Sequence, residues 1–341
     1  MKKILMICSV ATIVLGMMIQ VKAAENKKLA QTGFQFLSVV SDARAAAMGG
    51  AVNSIEMGSG ALFFNPANMA NMTNRFDVSA SLNTWIADIH HSTFSLAFNP
   101  APNSGNNWGV FGLSVQSVNY GDIEWTMIDA NESDGYRDMG IINPSALAVG
   151  VGYAKSLSTQ FSVGAQVRLV EQDLGKNILP ITTYEVGEDS METVKNELSP
   201  LSFDFGTLFK TGFKSLVFGM SVKHFSKEVE YAEEGFQLPL VFTIGASMDL
   251  IDLIEWDGFD QSLLLSIDAT HFRSHPEQLI VGLDYTMMKM LSLRCGYATS
   301  NDEDGVSFGF GVSQFGLSLD YAYTPFGVFD KVQRMTARIS L

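Results

Sequence analysis

The chain has 341 residues, of which 47% are hydrophobic, with a net charge of −14 and only two cysteines. That acidity leaves no basic stripe for a nucleic-acid partner, and two cysteines do not build a disulfide-stapled secreted scaffold. So apolar a chain, with few charged helix faces, also argues against an ordinary soluble α/β enzyme.

Taken in order, Lys2-Lys3, an apolar run over 4–19 and Val21-Lys22-Ala23 before a polar "AENKK" predict a secretory signal peptide over residues 1–23. The apolar run falls short of the roughly 20 residues of a membrane helix. Cys8 lies within it, too early for a lipoprotein cleavage site, so processing leaves Cys295 as the single cysteine. Residues 24–74 form a segment of their own. Its stretch "ARAAAMGGAVNSIEMGSGALFFNPANMANM" is too small-residued for an amphipathic helix and too rich in glycine for a strand. Gly49-Gly50 permits a sharp turn, Pro66 turns Asn65 away from helix, and "FQFLSVV" and "ALFF" are too apolar for a solvated tail.

From 75 to 341 the sequence alternates apolar with small or polar residues, the period-2 pattern of strands. Val306, Phe308, Phe310 and Val312 share one face, with Ser307, Gly309 and Gly311 on the other. Segments at 76–85, 93–98, 108–120, 147–153, 161–169, 201–209, 216–222, 242–248, 263–269, 279–285, 291–297, 317–323 and 335–341 repeat it, giving about fourteen strands. Their apolar faces are unbroken, as lipid contact requires. Aromatics such as Trp85, Tyr120, Trp125, Tyr153, Tyr297, Tyr323 and Phe326 stand at strand ends, the place of interfacial girdles. Tight links near 155–159, 211–215, 287–291 and 313–316 alternate with longer ones that hold "DIEWTMIDANESDG", "YEVGEDSMETVKNE", "EVEYAEEG" and "SNDEDG". The pattern predicts an all-β transmembrane antiparallel barrel in the outer membrane of a Gram-negative-type bacterium, bathed in outer-membrane lipid. A fourteen-stranded barrel is too wide for its own side chains to fill, so residues 24–74 are expected in the lumen as a hatch or plug.

Phe34-x-Phe36-Leu37, Ala43-Arg44-Ala45, Met48-Gly49-Gly50-Ala51 and Asn65-Pro66-Ala67, in this order before the strands, resemble the start of the PorV/PorQ family within the FadL-like outer-membrane barrels. The resemblance implies a hatch that includes Arg44, Gly49, Gly50, Asn65, Pro66 and Ala67. FadL-like barrels pass hydrophobic molecules through a lateral opening. PorV-like members instead serve type IX secretion, receiving cargo that carries a C-terminal secretion signal beside other secretion subunits. The resemblance thus implies a secretion component; a passive transporter of hydrophobic small molecules through hatch and gate is the alternative.

Two further expectations concern the lumen. On the third strand Phe111, Leu113 and Val115 share a face while Val118 and Tyr120 take the other parity. Such a slip predicts a β-bulge and gate at Gln116-Ser117, with residues 65–67 packed nearby. Counting across the turns sets Asp204 opposite Lys223, Asp284 opposite Arg294 and Asp320 opposite Arg338, all facing inward and close enough for ion pairs. Catalysis finds little support, and no cofactor or metal is expected. His90 and His91 point to opposite faces, and Asp302-Glu303-Asp304 lacks the spacing of a calcium loop. The glycines of "GVGYAKS" complete no phosphate loop.

Overall fold

The computed structural model describes residues 32–102, 108–129, 132–180, 191–231, 235–254, 258–299, 305–327 and 331–341. The expected signal peptide, Cys8 and the acidic triplet Asp302-Glu303-Asp304 lie outside these residues.

Among the described residues, fourteen strands close into one antiparallel barrel. In chain order they are β1 (Phe76–Thr84), β2 (His90–Phe98), β3 (Val110–Asn119), β4 (Ser145–Ser156), β5 (Phe161–Pro180), β6 (Leu201–Lys210) and β7 (Val217–Phe225). They continue as β8 (Val241–Asp249), β9 (Gln261–Phe272), β10 (Gln278–Met287), β11 (Leu291–Ala298), β12 (Val306–Gln314), β13 (Leu317–Pro325) and β14 (Lys331–Ser340). Each pairs with the next, and β14 returns to β1 from Asp77↔Ser340 to Thr84↔Gln333. Closure leaves no open sheet edge along the wall, the condition for crossing hydrocarbon.

Alternation decides what each face meets. On β1 the side chains of Asp77, Ser79, Ser81 and Asn83 are buried inside, whereas Leu82 is 66% exposed outside. Phe205, Phe218, Leu293, Phe308, Phe310 and Leu319 continue the exposed apolar surface. Water would not tolerate such a belt, and lipid requires it. One rim carries tight turns, as at Met287–Leu291 between β10 and β11. The opposite rim carries a hairpin of Ile123–Ile128 with Tyr136–Ile142, a strand Met191–Leu198 paired to the far end of β5, and a small hairpin of Val229–Glu230 with Gly235–Phe236. By its length that rim is the outer one.

Two expectations are corrected. Trp85, Tyr120 and Phe326 do not join a girdle: they share the parity of the buried residues of β1, β3 and β13 and line cavities in the lumen. Nor does β3 bulge. Gln116, Ser117 and Val118 pair without a break to Thr93, Ser92 and His91 on one side and to Ala148, Leu147 and Ala146 on the other. Val118 is apolar and inward because it packs on Phe34, Phe36 and Leu37 of the N-terminal segment. A bulge does occur on β7. The pairing there passes from Val222↔Phe205 to Phe225↔Phe203, with His224 at a φ of 61°.

Candidate functional site in the barrel lumen

Residues 32–74 run through the inside of the barrel. Thr32 bridges Gln237 at the outer rim, and the chain enters β1 at the opposite rim. Between them lies a short helix, α1 (Ala43–Ala47), capped by the Asp42 side chain, followed by 3-10 turns at Gly58–Phe63 and Pro66–Asn71. Alanines make α1 thin enough to lie against β11 to β14. Gly49 takes a φ of 68°, and its backbone sits so close to Gly296 of β11 that a Cβ on the latter would collide with it.

Asn65-Pro66-Ala67 seats on the opposite wall, against Gly164 of β5 and Gly206 of β6. Asn65 is fully buried. Its amide donates to the carbonyls of Asn53 at 2.8 Å and Thr207 at 3.1 Å, while its Oδ1 accepts from Ala67 N–H at 3.1 Å. Asn65→Ala therefore removes a cap and two bridging donors at once. A loss of about 1–3 kcal/mol is expected, seen as a lower urea midpoint of the folded barrel in lipid vesicles. An unchanged midpoint would mean that the turn does not hold the segment.

The charges pair differently from the counted register. Asp284 does face Arg294, at 3.0 Å, and it also receives Arg44 of the N-terminal segment at 3.1 Å. Asp320 stands opposite Thr336, not Arg338, and pairs with Arg294 at 2.5 Å. Arg338 lies opposite Ser318 and reaches Asp42 at 3.4 Å and Asp77 at 4.0 Å. Asp204 pairs with Arg168 at 2.7 Å and accepts the His224 N–H at 2.7 Å. The β7 bulge causes this: it sets two residues opposite Asp204 and turns Lys223 toward the segment, where its Nζ donates to the Phe63 carbonyl at 3.1 Å. Gln116 donates to the Phe36 carbonyl at 2.9 Å, but Ser117 faces outward and touches no part of the segment's site.

Asp42, Asn53, Asp77, Arg168 and Asp268 were missed by the sequence reading. Asp268 accepts the Asn53 N–H at 2.9 Å, and Asp77 the Ser59 N–H at 2.6 Å. Inward parity was a usable signal for Asp77, Arg168 and Asp268. Nothing in the sequence marks Asn53, whose amide spans the carbonyls of Gly219 and Thr243.

Above this anchored part, toward the outer rim, the lumen opens. One cavity of about 450 Å³ lies beside the segment, bounded by Val40, Phe64, Lys223, Asp268, Ile280 and Arg334. A second, of about 650 Å³, is lined by Phe34, Phe36, Trp85, Tyr120, Tyr231 and Phe236. Gln35, Val39 and Trp85 border both. Among the described residues no group of three His, Cys, Asp or Glu is arranged to hold a metal ion.

A closed fourteen-stranded barrel with a lipid-facing belt is an outer-membrane protein of a Gram-negative-type bacterium, with the FadL-like architecture. The family model for the type IX secretion system protein PorV matches residues 22–253, and the chain belongs to that family. In fold it is similar to the Pseudomonas putida toluene transporter TodX, with a TM-score of 0.55 and 15% identity over 87% of this chain and 96% of that one. The Ralstonia pickettii toluene transporter TbuX gives a TM-score of 0.55 and 12% identity, over 87% and 96%. No curated protein sequence matches the chain significantly.

Proposed function

We propose that this barrel is an outer-membrane channel that admits hydrophobic small molecules from the outer rim, with residues 32–74 acting as its hatch. The observation that carries this reading is the aromatic chamber of about 650 Å³ above an anchored segment. Its volume lies in the range of about 300–1,000 Å³ usual for small-molecule sites, and its rings favour apolar guests. The toluene transporters TodX and TbuX share the fold, which supports the reading by analogy only. Arg44, Gly49, Gly50, Asn65, Pro66 and Ala67 are the hatch residues in this account. The outward Ser117 drops out, and Gln116 serves as a hatch contact. The reading is tested by uptake of a radiolabelled apolar probe into cells lacking the gene and into complemented cells. Equal uptake would remove the channel.

Membership of the PorV family favours a second reading, in which the barrel works in type IX secretion and engages exported cargo at its outer loops. The hairpin between β3 and β4 suits such a role, since Ile128 is 90% exposed amid acidic neighbours. Under this reading, gene deletion traps signal-bearing cargo in the periplasm while bulk permeability stays normal. Normal secretion together with lost apolar uptake decides for the channel.

A further inference from the structure

The outer chamber is not uniformly apolar, and its exceptions are specific. Phe34 stacks with Phe236 at 6.1 Å between ring centres, and Tyr231 stacks with Phe236 at 5.5 Å, so three rings form a continuous wall. Trp85 meets His91 edge-on at 6.3 Å. Two residues of this lining, His91 and Tyr231, carry buried polar atoms that the fold leaves unused. His91 is 2% exposed, lines the chamber, and its Nδ1 has no hydrogen-bond partner. Tyr231 lines the chamber too, and its buried hydroxyl has no partner either. Nearby Gln172 donates to the Tyr120 hydroxyl at 3.3 Å, so that pair is already matched.

Buried polar groups without partners cost stability. A protein whose chamber served only hydrocarbons would do better with two phenylalanines at these positions. The rest of the lining is aromatic or aliphatic apart from Thr32, Gln35 and Gln172, the two glutamine amides already donating to the Thr32 carbonyl and the Tyr120 hydroxyl. Resting on the channel reading, we propose that the chamber selects hydroxylated aromatic molecules, of the phenol class, over the corresponding hydrocarbons. The ring lies among Phe34, Phe236 and Trp85. The guest hydroxyl donates to Nδ1 of His91, which accepts when the imidazole proton sits on Nε2, and its oxygen accepts from the Tyr231 hydroxyl. Burial, with Tyr120 and Asp173 nearby, raises the Tyr231 hydroxyl to about 12, so it keeps its proton and donates. A site with unpaired polar groups rejects the analogue that lacks the matching hydroxyl more strongly than an apolar site rejects an added one.

The test uses the full-length protein in detergent micelles, with 4-fluorophenol and fluorobenzene as a matched pair followed by 19F NMR against empty micelles. Wild-type protein is expected to bind 4-fluorophenol at least about tenfold more tightly than fluorobenzene. The double variant His91→Phe with Tyr231→Phe keeps the rings and is expected to bind both alike, with fluorobenzene affinity equal to or above that of wild type. If that variant does not fold, Tyr231→Phe alone, a change of one oxygen at the rim, is expected to lower the preference severalfold. Equal affinities in the wild type overturn the selectivity and leave the channel reading standing. Binding of neither probe overturns both.

Discussion

Deleting residues 30–70 is expected to convert a poorly conducting barrel into an open pore. In planar bilayers the intact protein should show small, infrequent conductance, and the deletion variant steady conductance at least about tenfold larger, because fourteen strands enclose more space than their own side chains fill. The wall itself does not depend on the deleted residues: no ladder of β1 through β14 includes a residue of the segment, and closure runs from Asp77↔Ser340 to Thr84↔Gln333. What the deletion removes is the occupant of the lumen. Met48, Val52, Met57, Leu62 and Met69 are all fully buried inside the ring. Polar wall groups that now serve the segment, such as Asp77 and Asp268, would be left to water in a wide aqueous channel, at a cost that the continuous strand ladder can bear. Steady porin-like conductance from the intact protein would refute a sealing role for the segment. So would a deletion variant that folds, inserts and remains closed.

The strands were legible because membrane burial imposes the simplest of sequence signals. Every second residue meets lipid, and the others meet a polar, tightly filled interior. Where the reading failed, the same signal had two physical causes. On β3 the apolar parity changes between Val115 and Val118, the slip that predicts a bulge. The strand is regular there, and Val118 is apolar because Phe34, Phe36 and Leu37 face it from inside. On β7 the apolar set Phe218, Met220 and Val222 changes parity at Phe225, and in that strand the bulge is present. A parity slip reports either a backbone irregularity or an apolar neighbour in the lumen. Only knowledge of what fills the barrel separates them, and that filling comes from residues remote in sequence.

The ion pairs show the same division. Inward parity identified Asp204, Lys223, Asp284, Arg294, Asp320 and Arg338 as luminal from each strand alone. Partners depended on the β7 bulge, on the register across the longer β13–β14 connection, and on Asp42 and Arg44 arriving from the segment. Local pattern thus set the face, and non-local packing chose the contact. The Asn65-Pro66-Ala67 turn follows suit. Its local geometry is readable from proline and the Asn cap, but its seat on Gly164 and Gly206 depends on wall strands remote from it along the chain.

The sharpest energetic test of the segment's attachment lies at Asp284. Four charges alternate across the lumen: Arg44 of the segment, Asp284 of β10, Arg294 of β11 and Asp320 of β13, joined at 3.1, 3.0 and 2.5 Å. Asp284 is 3% exposed and is the single carboxylate shared by segment and wall in this row. Asp284→Ala leaves two guanidinium groups facing each other across a cavity, with Arg294 retaining only Asp320. Breaking a buried pair from one side costs about 3–5 kcal/mol, and a fall of that order is expected in equilibrium unfolding of the barrel in lipid vesicles. Hydrogen exchange should rise selectively in residues around α1, while the ladders of β10 and β11 stay protected. The compensating change is more discriminating than the loss. Arg44→Met in the Asp284→Ala background removes the like charge and keeps an apolar stem, so it should recover about 1–2 kcal/mol, whereas Arg44→Met alone should destabilise. If the two substitutions prove additive, Arg44 and Asp284 do not interact, and the segment is held by its backbone contacts with the glycine-lined wall alone.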